Sequence, residues 1–351
     1  MEVLMFNFRN DYHDLCHPKV LEKLMAVRGE NNVGYGFDPH TERAAKLIGE
    51  ALGKHYPVHF VPGGTAANTL AIGFRLLPHE AVVSADSGHI VGDEVGAVES
   101  GGHKIITVPT ESGKFDPDVL NDHLESFGSF HNVLPGMIYL SNATETGRVY
   151  TKKELEAIRE VADRHELFVY IDGARMASAL MSEASDLTLA DYPKYADIFS
   201  IGGTKNGALF GEALVFSNPR LADEFIYYQK QQSLLLAKGF LLGAQFEALF
   251  EDNLYFDIAK KANAMAKKLY SALDTIGYTP IYPLESNQLF VEVEREKIES
   301  LREAGQFEIA REGEKTLVRF VTTYETKDEE IAELLAVLKS KGKNPIPTKT
   351  V

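Results

Sequence analysis

From about Val58 to Phe216, short apolar runs alternate with stretches of helical period. The strand candidates are Val58–Val61, Ala81–Ser84, Lys104–Val108, Met137–Ser141, Leu167–Ile171, Asp197–Ile201 and Ala213–Phe216, with helices between several of them, for example Thr65–Leu77 and Lys152–His165. Such an order predicts an α/β fold: a mainly parallel seven-stranded sheet with helices on both faces. From about Asp257 the texture changes. A long helix, Asp257–Ile276, stops at Gly277, and is followed by the strand Gln288–Val293, a charged helix near Arg295–Ala304, the strand Thr316–Thr322 and a helix near Lys327–Lys339. This is the α+β pattern of a smaller C-terminal domain. The first 40 residues show little periodicity but carry many aromatics, so a packed arm is expected over 1–40, a large domain over 41–255 and the small domain over 256–351, ending in a loose tail rich in Lys and Pro.

Composition narrows the class. At 351 residues and 44% hydrophobic, the chain is long enough for two cores. Thirty-six Lys plus Arg against 51 Asp plus Glu give a formal charge of −15, and with no basic run there is no electrostatic footprint for nucleic acid or an anionic membrane. Cys16 is the only cysteine, which fits a reducing cytoplasm, and the start, Met1-Glu2-Val3-Leu4, is not that of a secretory signal. Ser233–Phe250 is apolar but interrupted by Lys238, Gln245 and Glu247, so it reads as a buried or interface helix and not a membrane span. No metal-ligand cluster is expected.

The chemistry is concentrated just past predicted strand ends. Lys205 lies in Gly202-Gly203-Thr204-Lys205-Asn206-Gly207, and Asp172 opens Asp172-Gly173-Ala174-Arg175, 33 residues upstream (205 − 172). Residues past the C-terminal ends of parallel strands share one crevice, where ligands bind. An amine and a carboxylate there suit pyridoxal phosphate: the amine forms a Schiff base with its aldehyde and the carboxylate pairs with its pyridinium nitrogen. A helix-capping Asp and a solvated Lys explain each motif singly, but not the pair.

Gly63-Gly64-Thr65-Ala66-Ala67-Asn68 links a strand to a helix whose free N–H groups can cradle a phosphate with the Thr65 hydroxyl, and Thr204 is a second phosphate ligand candidate. His89 could stack on a pyridine ring or move a proton near neutral pH. Glu145, in Asn142-Ala143-Thr144-Glu145-Thr146-Gly147, can reach the same crevice, while Glu94 and Glu99 are weaker candidates. Arg319 interrupts the apolar strand Leu317-Val318-Arg319-Phe320-Val321 and needs an anionic partner, either a substrate carboxylate or an internal carboxylate.

Taken together these motifs resemble the low-specificity L-threonine aldolases, in the β-eliminating lyase group of pyridoxal-phosphate enzymes. The matching segments are Asn10–Tyr12, Gly64–Asn68, Ala143–Tyr150, Asp172–Arg175 and Gly202–Gly207, in the family's order over nearly the whole chain. The resemblance implies the aspartate-aminotransferase-like fold and retro-aldol cleavage of β-hydroxy-α-amino acids. It implies Lys205 as the Schiff-base lysine, Asp172 as the pyridinium partner and His89 as the stacking imidazole. Gly64, Thr65 and Thr204 would hold the phosphate, and Arg175 and Arg319 the substrate carboxylate, near Asn10. It also implies a homotetramer, or a homodimer, with intersubunit sites, so that Tyr35 and Lys238 would serve a neighbour. Another branch of the family has histidine at the position of Glu145, serine at Asn10 and arginine at Lys238. The base for the β-hydroxyl proton is thus left between His89 and Glu145. Rival expectations are another lyase on the same scaffold, acting on phenylserine or by β-elimination, and a non-catalytic cofactor-binding regulator.

Overall fold

A computed structural model describes residues 5–340; the first four residues and, from 341 on, the expected tail lie outside the described residues. After a short strand β1 (Phe6–Asn7), the seven apolar runs form seven strands: β2 (Val58–Val61), β3 (Glu80–Ala85), β4 (Ile105–Val108), β5 (Leu134–Ser141), β6 (Phe168–Asp172), β7 (Ile198–Gly202) and β8 (Glu212–Phe216). They build one sheet in the order β2-β8-β7-β6-β5-β3-β4. Pairing is parallel from β7 across to β4, and β8 runs antiparallel to both β7 and β2. The reason is the connection: β7 and β8 are joined by a loop alone, and a parallel neighbour would need a crossover. β2, being antiparallel to β8, points the same way as β7. The carboxyl ends of the parallel strands and of β2 therefore meet at one edge, together with the start of β8.

Every residue of β7 and β8 is buried, as expected of strands covered on both faces. The helix Lys152–Arg164 starts at a capping box, Thr151 with Glu154, and buries Leu155, Ile158, Val161 and Ala162 at helical spacing. The apolar segment from Ser233 becomes helical only at Phe240, and the helix Phe240–Phe250 is buried on all sides. A side chain at Gly239 would meet the backbone nitrogen of Gly36 at 2.8 Å, so the chain turns there where two segments cross.

The smaller C-terminal part pairs β9 (Gln288–Glu294), β11 (Glu308–Arg311) and β12 (Lys315–Val321) in the antiparallel order β11-β12-β9, while β10 (Gly305–Gln306) pairs with β1. β11 escapes a pattern reading because this edge strand, Glu-Ile-Ala-Arg, buries no residue fully. Phe6 and Phe8 of the arm pack in the same core as Leu289, Val291, Val318 and Phe320. The helix Pro18–Ala26, within the expected arm, buries only Val20, which explains its faint apolar signal. The helix Leu254–Asp274 spans both cores, with Ile258 and Ala259 against the large sheet and Ala266, Leu269 and Leu273 in the small one. Among the described residues no helix is long and apolar enough to cross a membrane.

Candidate active site

The loops at the carboxyl edge enclose a cavity of about 320 Å³ whose wall includes Gly63, Gly64, Thr65, His89, Glu145, Asp172, Arg175, Thr204 and Lys205. Seven of the motif segments' chemical groups thus leave five different strand ends and converge. A side chain at Gly63 or Gly64 would meet nothing within 4 Å, so the backbone is bared to the open space at the start of the helix Gly64–Arg75. Leading N–H groups of a helix have no partner within it and point where an anion can take them. On the opposite loop the two glycines are required for packing: a side chain at Gly202 would lie 2.5 Å from the Ala174 carbonyl oxygen, and one at Gly203 2.6 Å from that of Gly211.

Asp172 ends β6 and is buried among donors. Its Oδ2 accepts from the Tyr139 hydroxyl at 2.8 Å and from Asn68 Nδ2 at 3.1 Å, and its Oδ1 accepts from the Ala174 N–H at 2.9 Å. These bonds fix its orientation in the cavity wall. Lys205 lies on the β7–β8 loop and, among the described residues, makes no ion pair within 4 Å. Burial, and next the charge of Arg175, lower its pKa, so a neutral, nucleophilic amine is easier to reach than for a solvated lysine.

Glu145 and His89 occupy another part of the wall. Glu145 Oε1 accepts from Ser141 Oγ at 2.6 Å and from the backbone N–H of His89 at 3.0 Å. Burial pushes its pKa above the ordinary glutamate value despite the Ser141 hydrogen bond. His89 Nδ1 is 2.7 Å from Glu94 Oε1, and this hydrogen bond outweighs burial and raises the imidazole's pKa. Asn68 Nδ2 also donates to Glu94 Oε1, at 2.6 Å, and to Asp172, so one amide connects the histidine side of the cavity to Asp172.

Arg175 is engaged by the N-terminal arm: its Nε and Nη2 donate to Asp11 Oδ2 and Oδ1 at 2.7 and 3.0 Å. Arg319 does not line the 320 Å³ cavity itself. Burial and the neighbouring charge of Arg175 lower its pKa, Asp11 and Tyr12 also act on it, and its buried Nε has no hydrogen-bond partner. It is therefore a cation beside the cavity with donor capacity to spare.

Asn10, Tyr35 and Lys238 do not line the cavity, though Tyr12, next but one to Asn10, does. The Asn10 side chain accepts from the Tyr12 N–H. Tyr35 and Lys238 lie on the segments 35–37 and 237–239, joined where the Tyr35 N–H donates to the Ala237 carbonyl at 3.2 Å; Tyr35 is 41% exposed and Lys238 is exposed as well. Four groups of this site were not singled out from sequence: Asp11, Asn68, Ser141 and Glu212. An amide inside the apolar helical run Ala66–Ala71 was a legible signal for Asn68, since a buried amide needs partners.

Comparisons with known proteins identify the family and the fold. The beta-eliminating lyase family matches residues 8–296. The low-specificity L-threonine aldolase of Pseudomonas aeruginosa is 31% identical, over 93% of this chain and 94% of its own length. That of Escherichia coli K12 is 24% identical over 95% and 98%. A threonine aldolase structure from Leishmania major superposes with a TM-score of 0.93 at 40% identity, covering 95% of this chain and 98% of that one. Aspartate aminotransferase from Thermus thermophilus, at 15% identity, shares the fold, with a TM-score of 0.72 over 95% and 91%. The chain belongs to the beta-eliminating lyase family, among the low-specificity L-threonine aldolases.

Proposed function

We propose that this protein is a pyridoxal-phosphate-dependent aldolase that cleaves L-threonine and related β-hydroxy-α-amino acids to glycine and an aldehyde. The observation that carries this reading is the convergence of Lys205, Asp172, Glu145 and His89 on one cavity, with the bare Gly63–Gly64 backbone at its edge. The residues fit the cofactor: a buried amine without an ion-pair partner calls for one in the space before it, and glycines facing open space leave room for a phosphate. When bound, pyridoxal phosphate supplies an aldehyde for Lys205 and an electron-withdrawing ring that accepts the charge left by Cα–Cβ cleavage.

The chain's own residues do the rest. Gly64, Thr65 and Thr204 would hold the phosphate, Asp172 would pair with the pyridinium nitrogen, and His89 would face the ring. Arg319, a cation beside the cavity, would bind the substrate carboxylate through its guanidinium, assisted by Arg175. Glu145, held by Ser141 and the His89 N–H, accepts the β-hydroxyl proton; its raised pKa makes the proton easy to hold and still possible to release. Tyr35 and Lys238, exposed on one face and away from their own cavity, complete a neighbour's site in a homotetramer, and Asn10 contributes to the substrate end. The carriers of these parts are the arm 1–40, a cofactor domain 41–255 and a small domain 256–351. The single Cys16 fits a cytoplasmic setting.

The test is product analysis on the yellow holoprotein with L-threonine, phenylserine, serine and tyrosine in parallel. Acetaldehyde and glycine from threonine are expected; their absence refutes the aldolase assignment, and pyruvate from serine would move it to β-elimination. Lys205→Ala is expected to abolish turnover and to lose the borohydride-fixed adduct. Turnover retained in that variant would remove Lys205 from its role.

A further inference from the structure

Glu212 is buried, at 3% exposure, and has no part in the scheme above. It opens β8 at the edge where β2 and β7 end. Antiparallel pairing sets it beside Gly202 of β7 and Val61 of β2, between the two glycine loops, Pro62–Thr65 and Gly203–Thr204. Its Oε2 accepts the Gly203 N–H at 2.8 Å, and it lines the same 320 Å³ cavity as both loops and Lys205. The groups that face it are Lys205 on the adjoining loop, Asp172 and the Tyr170 hydroxyl on β6, and the Tyr255 hydroxyl on the helix Leu254–Asp274. The loop Pro62–Thr65 brings no charged side chain. Burial raises the Glu212 pKa to about 7, against hydrogen bonds from Thr204 and the Gly203 N–H and the attraction of Lys205.

An acid in this place is unexpected for a phosphate subsite. A phosphate dianion seated on the two loops would share a small cavity with a carboxylate, and like charges so placed force one of them to take a proton. A neutral carboxyl keeps one oxygen as acceptor for the Gly203 N–H and gains an O–H donor on its other side.

We propose that Glu212 is the protonated partner of the phosphate subsite: seating a phosphate-bearing ring draws one proton onto its carboxyl, which then donates a hydrogen bond beside the two glycine loops. This rests on the cofactor reading of the cavity. It makes cofactor retention weaken with alkalinity through a group that touches neither the ring nor the substrate.

The test uses full-length protein freed of cofactor and 4-deoxypyridoxine 5′-phosphate, a probe with ring and phosphate but no aldehyde, so that Schiff-base formation does not contribute. The dissociation constant for the wild type is expected to rise by up to about tenfold per pH unit above neutrality, the limit for uptake of one proton. Calorimetry at pH 8 in two buffers of unlike ionisation enthalpy should show about one proton taken up per site, with the ³¹P shift of the bound probe remaining that of the dianion. Glu212→Gln, which mimics the neutral acid, should bind the probe at least as well at pH 8 and take up no proton. Uptake unchanged in Glu212→Gln, no uptake by the wild type, or a ³¹P shift showing that the phosphate itself is protonated would each overturn the proposal. Should that variant fail to fold, the wild-type calorimetry and ³¹P shift decide. A probe that binds at no pH sinks the cofactor reading as well, whereas pH-independent binding sinks only the role of Glu212.

Discussion

Replacing Asp11 by Asn tests how the arm is tied to the site. The Asp11 side chain is 2% exposed and that of Arg175 10%, with Nε–Oδ2 at 2.7 Å. Burial alone would raise the Asp11 pKa, but the charges of Arg175 and Lys205 and hydrogen bonds from Arg175 and Asn287 bring it from 3.8 down to about 2. At about 1.36 kcal/mol per unit this corresponds to roughly 2 kcal/mol of native stability. Because the folded pKa lies below the unfolded one, that contribution is complete above the unfolded value and is lost as the pH falls through the folded one. Asp11→Asn should cost more, about 3–5 kcal/mol at pH 7, because a buried guanidinium is left without its counter-ion. Arg175, whose charge already lowers the pKa of both Lys205 and Arg319, would then face them with one anion fewer. The assay is urea unfolding at pH 7 and fixed protein concentration for Asp11→Asn, Arg175→Met and the double variant. In the double variant both charges are gone, so its loss should fall well short of the sum of the singles. A loss below about 1 kcal/mol for Asp11→Asn, or strict additivity, would refute the argument that this pair is a tightly coupled buried one.

Three further outcomes follow from the same geometry. Gly203→Ala puts a methyl 2.6 Å from the Gly211 oxygen and 2.8 Å from the Phe246 ring, and should cost about 1–3 kcal/mol and slow borohydride trapping at Lys205; an unchanged melting temperature contradicts it. Glu145→Gln should lower kcat by about 10²- to 10⁴-fold with L-threonine. The acid limb of the wild-type profile should lie above the ordinary glutamate value of 4.5, because burial raises this carboxyl's pKa and its deprotonated form is the base; a limb that persists in the variant belongs to another group. Arg319→Gln should raise KM for the amino acid by about 10- to 100-fold, the worth of a charge-assisted hydrogen bond, and a KM within twofold, about 0.4 kcal/mol, would place the carboxylate elsewhere.

Much of this protein is written locally. The central strands of the large sheet were visible because they bury both faces and are apolar almost throughout, and Lys152–Arg164 because its cap and apolar spacing agree. What failed to show were elements whose own residues bury little, the helix Pro18–Ala26 and the edge strand β11. The site divides in the same way. Lys205, Asp172 and the Gly64–Thr65 turn announce themselves because each sits in a motif just past a strand and needs no distant partner to be recognised.

Their partners are another matter. Asp11 meets Arg175 from 164 positions away, and Tyr170 and Asp172 reach Asn68 across 102 and 104 positions. Glu212 reads in the chain as an ordinary charged residue at the start of an apolar strand. Only the antiparallel insertion of β8 between β7 and β2 carries it to the edge where the glycine loops lie. The sequence by itself determined which segments become strands and helices and which residue types await a cofactor, since these depend on neighbours a few positions away. Tertiary structure alone decided which charges share a cavity, because strand order sets distances that no local pattern encodes, and those distances govern burial, pairing and pKa.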